Sequence, residues 1–141
     1  MTIRDNIKTP LLAVDCIIEY GNKIILIKRE NEPKGLALPG GFVDIGESTE
    51  DAIKREITEE TNLELTDIEL FNVYSKPNRD PRDHIVSVTY IAKAKGELKV
   101  GDDAKKVILK DINEIETSEL VFDHNKILHD YKNYINENQY Y

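Results

Sequence analysis

The stretch from Gly40 to Leu65, GGFVDIGESTEDAIKREITEETNLEL, concentrates acidic side chains that could hold a metal ion. Four of its glutamates, Glu47, Glu56, Glu59 and Glu60, fall within fourteen residues. Mg²⁺ selects oxygen ligands, and acids three or four positions apart on a helix lie about 5–6 Å apart at Cβ. Carboxylates this close raise one another's pKa unless a cation neutralises them. The stretch therefore predicts a divalent-cation site.

A solvated acidic face is the alternative interpretation, because exposure is the default for glutamate. On a helical projection, however, Glu56, Glu59 and Glu60 overlap the apolar stripe, whereas Lys54 and Arg55 fall away from the three acids. Carboxylates beside a buried stripe lose solvent as well as repelling one another. Bound cations relieve both effects, and the projection therefore favours a metal site.

The acids belong to a segment that is predicted to be a helix. Ser48 is a suitable N-cap, and Asn62 can end the helix in a left-handed conformation. Around it, apolar β-branched runs predict strands, including a hairpin at Gly21-Asn22. A second helix is predicted over FDHNKILHDYKNYI, capped by Asp123. Residues 135–141 are predicted to fray, and one mixed α/β domain is expected to span residues 1–141.

Composition limits the classes of function. The chain has 141 residues and a net charge of −8, which argues against a nucleic-acid partner. No apolar run approaches the roughly 20 residues that span a membrane, and the N-terminus lacks an export pattern. Cys16 is the only cysteine, which excludes an internal disulfide and favours a cytoplasmic protein.

Residues Gly41 to Leu63 read G-x5-E-x7-R-E-I-x-E-E-x-N-L. This pattern resembles the signature of the Nudix hydrolases, G-x5-E-x7-R-E-U-x-E-E-x-G-U, where U is a bulky aliphatic residue. The one departure is Asn62, where the family has glycine. Asparagine is the next most tolerant residue at positive φ, and we expect the turn to survive.

The resemblance implies a fold, a reaction and a set of site residues. The fold is an α/β/α sandwich with a mixed β-sheet between helices. The reaction is hydrolysis of a nucleoside diphosphate linked to another group, with Mg²⁺ or, as a substitute, Mn²⁺. The resemblance places metal ligands at the Gly40 carbonyl, Glu47, Glu56, Glu59 and Glu60, and it gives Arg55 the role of pairing with the acids and orienting them.

The run SKPNRDPRDHIVSV resembles the ADP-ribose pyrophosphatase branch of this family. Arg79 and Arg82 in this run suit a diphosphate, because guanidinium forks match phosphate geometry. A decorated loop shaped by its prolines is an equally good interpretation of each arginine alone. Arg29, at the end of a predicted strand, reaches the phosphates or lies in solvent. We assign Arg29, Arg79, Arg82 and Gly41 to substrate binding.

The general base is open. In the family it is a carboxylate on a distant loop or a glutamate of the signature itself. The segment KGELKVGDDAK offers Glu97, Asp102 and Asp103, and we prefer Asp103, then Asp102. From spacing alone these acids are equally good turn formers.

Three functions remain, together with several minor assignments. The first is an Mg²⁺-dependent ADP-ribose pyrophosphatase that releases AMP and ribose 5-phosphate; the second acts on a nucleoside triphosphate or another nucleotide sugar; the third is a non-catalytic ADP-ribose sensor. The branch implies a homodimer. Tyr74 and Phe42 are predicted to pack in the core rather than to stack on adenine, and His124 is interpreted as a surface or packing residue.

Overall fold

A computed structural model describes residues 3–98, 106–115 and 119–138 of the chain. Its helices and strands, in chain order, are α1 (Ile3–Asn6), β1 (Leu11–Tyr20), β2 (Lys23–Arg29), β3 (Gly35–Ala37), β4 (Gly40–Phe42), α2 (Thr49–Thr61), β5 (Glu64–Tyr74), β6 (Ile85–Lys95), β7 (Lys106–Lys110) and α3 (His124–Asn138). A 3-10 turn, Ile112–Glu114, follows β7. The expected hairpin joins β1 and β2.

The strands form one mixed sheet in the order β3-β2-β1-β6-β5, with β4 also pairing with β1 and β7 with β2. β1 lies parallel to β6 over nine residue pairs, from Leu11 opposite Ile85 to Glu19 opposite Lys93. The remaining pairs of strands are antiparallel. The mixed sheet that the family resemblance implies is therefore confirmed.

Alternation along β1 builds a core on each face of the sheet. Val14, Cys16 and Ile18 are fully buried in the cluster that contains Ile53 and Ile57 of α2. Ile17 points the other way, into the cluster that contains Ile127, Leu128 and Tyr131 of α3. Helices α2 and α3 cover opposite faces of the sheet, which confirms the α/β/α arrangement.

The ends of α2 follow from local side-chain chemistry. The Ser48 hydroxyl accepts a hydrogen bond from the Asp51 amide, at 3.0 Å, and satisfies one of the unpaired donors of the first turn. Asn62 has a φ of 63° and its amide donates to the Thr58 carbonyl. Asparagine thus ends the helix in the conformation for which the family pattern has glycine.

The structure corrects two expectations about α3. The helix continues through Asn138, so that residues 135–138 are helical rather than frayed, while residues 139–141 lie outside the described residues. Asp123 directly precedes the helix, but its carboxylate binds the Arg79 guanidinium. Within the described residues, no helix is long and apolar enough to cross a membrane.

Candidate active site

Arg55, on α2, lies at the centre of a cluster of carboxylates. Its guanidinium donates to both oxygens of Glu47, with Nε–Oε2 and Nη2–Oε1 distances of 2.9 and 2.7 Å. It also donates to Glu56 at 2.9 Å and approaches Glu59 at 3.5 Å. A further hydrogen bond reaches the Phe42 carbonyl of β4. One planar fork therefore ties the glycine-rich strand, the following loop and the helix together.

These contacts fix the ionisation of the cluster. The hydrogen bonds from Arg55, with one from the Asp44 amide, lower the pKa of Glu47 to about 2. The same pairing with Glu47 and Glu56 raises the pKa of Arg55. Glu47 is thus an anion and Arg55 a cation across the physiological pH range.

The helical projection is wrong about Arg55. Its position around the helix axis points away from the acids, but its side chain is long enough to reach back and contact them. The acids of α2 were expected to converge on a common metal position, and the structure differs from this expectation. Within residues 3–98, 106–115 and 119–138, no three acidic, histidine or cysteine side chains form a ready metal-binding group. Arg55 supplies the positive charge here and draws carboxylates towards itself; Glu59 is 60% exposed.

The donors on this edge nevertheless fit a hard divalent cation. The candidate ligands are Gly40, Glu47, Glu56, Glu59 and Glu60, and all of them offer oxygen, which is the ligand that Mg²⁺ prefers. Glu56 is 16% exposed, and its carboxylate rests directly on the Cα of Gly41, where any added Cβ would collide with it. Gly41 is thus needed for the carboxylate of Glu56 to reach β4. The metal-ligand roles remain predictions.

A cleft adjoins this edge. Its floor is formed by β1 and β4 and its wall by the loop before β6 and the start of α3; the lining includes Asp15, Gly40, Gly41, Asp80, Arg82 and Phe122. Phe42 also lines the cleft and is 42% exposed, so the expectation that it packs in the core is wrong. Tyr74 is buried, as expected.

The two arginines from the loop before β6 have different surroundings. Arg79 is buried, and its guanidinium binds both oxygens of Asp123, at 2.9 and 2.6 Å, and the Ile85 carbonyl. This arginine therefore joins the loop to α3, and a contact with substrate remains a prediction. Arg82 is 40% exposed and pairs with the buried carboxylate of Asp80. Although burial opposes it, this pairing lowers the pKa of Asp80.

Phe122 holds two guanidinium groups around one aromatic ring. Arg29 lies 5.0 Å and Arg82 4.9 Å from the ring centroid, within the range of cation–π attraction. Burial and the nearby Arg82 lower the pKa of Arg29, while Glu60 acts in the opposite direction. Phe122 also has a φ of 58°, which is unusual for a bulky residue. Like-charge repulsion between the two arginines and backbone strain therefore both occur at Phe122.

Asp15 and His124, which both line the cleft, form a buried polar pair. Asp15 accepts from the Ser87 hydroxyl, and its Oδ1 lies 3.8 Å from Nε2 of His124. Burial raises the pKa of Asp15 to about 6 and lowers the pKa of His124 to about 3. The two shifts have one cause, because removal from water disfavours each charged form.

The raised pKa of Asp15 predicts a pH-dependent effect of Asp15→Asn on stability. Below about pH 4 the side chain of residue 15 is neutral in the wild type and in the variant. Above about pH 6 the folded wild type must keep a buried carboxylate charged. The free energy of unfolding of the wild type therefore falls as the pH rises from about 4 to about 6. We expect Asp15→Asn to be more stable than the wild type at pH 7.5, by about 2–3 kcal/mol, and equal to it near pH 4.

Urea unfolding at the two pH values measures this difference, and Asp67→Asn, at an exposed position, is the control. A difference that is the same at both pH values would contradict the assignment.

Asp102 and Asp103 lie outside the described residues, while Glu97 is exposed and accepts a hydrogen bond from Asn62 through its backbone carbonyl. Sequence reasoning missed Asp15, Asp80 and Phe122, and of the two interpretations of His124, surface or packing, the structure confirms packing. Asp15 had a readable signal, since an acid interrupts the apolar run LLAVDCII. Phe122 had none, because its role depends on arginines far away in the chain.

The sandwich fold, with an acidic helix edge held by an arginine beside a glycine-rich strand, defines a Nudix-type domain. Residues 9–131 match the NUDIX domain family, and the chain belongs to this family. It is therefore a Nudix hydrolase.

Three known proteins are similar to this chain in sequence or in fold. The chain is 52% identical over 130 residues to the ADP-ribose pyrophosphatase of Methanocaldococcus jannaschii, covering 90% of this chain and 76% of that protein. The NUDIX domain of Shewanella oneidensis NrtR, solved with ADP ribose, superposes with a TM-score of 0.81 at 25% identity, over 96% of this chain and 99% of that one.

The third is a bifunctional NMN adenylyltransferase/ADP ribose pyrophosphatase from Francisella tularensis, with a TM-score of 0.76 and 26% identity. The match covers 90% of this chain but 42% of that one, so the chain spans less than half of the bifunctional protein.

Proposed function

We propose that this Nudix hydrolase cleaves the diphosphate bond of ADP-ribose, giving AMP and ribose 5-phosphate, with Mg²⁺ as cofactor and Mn²⁺ as a substitute. One water is consumed and one bridging P–O bond is broken. The observation that carries the proposal is the meeting of two opposite surfaces. The acidic edge of α2 suits cations, and the cleft beside it is lined by Arg82 and by Phe122, whose ring also contacts Arg29. A diphosphate bridging the two surfaces neutralises both.

The sequence similarity supports the choice of substrate. The chain is 52% identical to a protein named as an ADP-ribose pyrophosphatase, and a domain with the same fold binds ADP ribose. Mg²⁺ bound on the acidic edge would neutralise phosphate oxygens and acidify a water molecule. Arg55 holds Glu47 and Glu56 in place, and Arg82 and Arg29 would orient the phosphates. The base that accepts the proton is proposed as Asp103, then Asp102.

A substrate panel tests the proposal. We expect hydrolysis of ADP-ribose to exceed that of nucleoside triphosphates and of other nucleotide sugars at equal concentration in Mg²⁺, and EDTA to abolish it. Products separated by ion-exchange chromatography should be AMP and ribose 5-phosphate. Faster turnover of a triphosphate would move the chain to the second function named above.

The alternative is a sensor that binds ADP-ribose without cleaving it, and the NrtR domain, solved with ADP ribose, supports the binding part of that function. Calorimetry combined with the product assay separates the two functions. Binding of ADP-ribose in Mg²⁺ without release of AMP would support the sensor.

We also propose a homodimer in the cytoplasm, as the family branch implies. Light scattering should then give twice the 16.2 kDa chain mass.

Phe122→Leu tests whether the aromatic ring orients the two arginines for the substrate. Each cation–π contact is worth about 0.5–1 kcal/mol at an exposed site, so the loss of both predicts a rise in KM of about 5- to 30-fold. We expect kcat to change little, because the ring does not lie among the acids of α2. Phe122→Tyr keeps the ring and should keep the wild-type KM. An unchanged KM in Phe122→Leu would remove Phe122 from the substrate site.

A further inference from the structure

His124 makes a hydrogen bond that bears directly on the glycine-rich strand. Its Nδ1 accepts the backbone N–H of Leu38 at 2.9 Å, and both residues are buried. Leu38 lies two residues before Gly40, whose carbonyl is a proposed metal ligand. The ring belongs to α3, on the opposite side of the sheet from the acids of α2.

The Leu38 amide is the last point before Gly40 at which an N–H can hold the chain. Pro39 has no amide hydrogen, and its carbonyl accepts from the Cys16 amide at 3.0 Å. Gly40 then pairs with Asp15 and packs so closely on the Val14 carbonyl that no Cβ would fit. One hydrogen bond on each side of the Leu38–Pro39 peptide thus sets the direction in which the chain enters β4.

The histidine is well held for this role. An Nδ1 that accepts a hydrogen bond has no proton, so the ring is neutral and carries its hydrogen on Nε2, facing Asp15. The low pKa given by burial keeps the ring in this form. Its backbone amide donates to the Val121 carbonyl, and the ring packs against Phe122 at 5.2 Å between centroids. Neighbouring Asp123 is fixed by Arg79.

We infer that His124 is a positioning residue for catalysis, which fixes the Leu38 amide and thereby aims the Gly40 carbonyl at the cation. The inference rests on the proposed function, because that function makes Gly40 a ligand. It assigns the start of α3, far in sequence from the Nudix signature, a part in building the metal site.

Three substitutions separate this role from packing. His124→Asn keeps an acceptor at the position of Nδ1, since Oδ1 of asparagine is bonded to Cγ in the same way. His124→Gln places its amide near the position of Nε2, and His124→Leu has no acceptor. Outer contacts of metal ligands typically change metal affinity or activity about 10- to 100-fold. We expect His124→Leu and His124→Gln to bind Mn²⁺ about 10-fold more weakly, with kcat reduced similarly, and His124→Asn to recover most of both.

Two measurements give the answer. Electron paramagnetic resonance of free Mn²⁺ gives the metal affinity without substrate, and hydrogen exchange of the Leu38 amide reports the hydrogen bond itself. We expect faster exchange at Leu38 in the leucine and glutamine variants and slow exchange in the asparagine variant. Thermal unfolding shows how far packing has changed. If His124→Leu fails to fold, the comparison of asparagine with glutamine carries the test.

Equal Mn²⁺ affinity and equal kcat in the asparagine and glutamine variants, with Leu38 exchange differing between them, would overturn the inference. So would equal exchange in the two variants. A wild type that fails to bind Mn²⁺ and to release AMP instead refutes the proposed function. The inference falls with it in that case, because no metal site is left to position, and the exchange data then report a structural hydrogen bond only.

Discussion

Glu56→Gln should reduce kcat for ADP-ribose by about 10²–10³-fold while the protein stays folded. This is the scale on which enzymes lose activity when one preorganised electrostatic group is removed. The carboxylate of Glu56 lies against the glycine-rich strand, where an added Cβ on Gly41 would collide with it. Glutamine has the same shape and keeps an oxygen for Arg55, but it has lost the charge that attracts a cation. Steady-state kinetics in saturating Mg²⁺ measure the change.

Glu50→Gln is the matched control, because Glu50 lies on the same helix and is exposed. We expect it to retain wild-type kcat. Glu60→Gln should resemble Glu56→Gln, and circular dichroism should show native folds for all three variants. A fully active Glu60→Gln enzyme would contradict its assignment as a metal ligand.

Arg55→Lys is expected to lower kcat by about 10- to 100-fold although the charge is kept. The guanidinium binds Glu47 through two parallel hydrogen bonds and reaches Glu56 and the Phe42 carbonyl at the same time. A lysine ammonium is a single point charge and cannot repeat this geometry. The acids would then repel one another without a common partner, and the melting temperature in EDTA should fall.

Added Mg²⁺ should restore more of the melting temperature in Arg55→Lys than it adds to the wild type, because a cation takes over part of the lost neutralisation. Thermal unfolding with and without Mg²⁺ measures this difference. Lys54→Met, at the exposed neighbouring position, should show wild-type behaviour. Wild-type kcat in Arg55→Lys would show that Arg55 acts as a charge only.

Features that depend on neighbours in sequence were predictable. Ser48 and Asn62 end α2 because their side chains or backbone act within a single turn. The individual strands and the two long helices follow from apolar periodicity, which is also local, whereas the mixed sheet between two helical layers was expected from the resemblance to the Nudix family. The acids of α2 were found for the same reason, since their spacing alone brings them to one edge of the helix.

Features that depend on distant pairing were not predictable. Phe42 resembles a core residue in composition, but the short strand β4 leaves it at the cleft. The roles of Arg79 and Arg82 differ because Arg79 meets Asp123, 44 residues away. His124 and Asp15 come together only through the packing of α3 on the sheet. The contacts of Arg55 were not predicted, because a helical projection gives the position of each residue around the helix axis and ignores the length of its side chain.

The parallel pairing of β1 with β6 also has a consequence for biosynthesis. Ser87 and Asp15, which share a hydrogen bond, are 72 residues apart. A ribosome must synthesise most of the domain before β6 can pair with β1. During this time the hairpin and α2 are already outside the exit tunnel, but β1 lacks its parallel partner. Nascent chains that end before Ile85 should therefore remain protease-sensitive, whereas chains extended through α3 should become resistant.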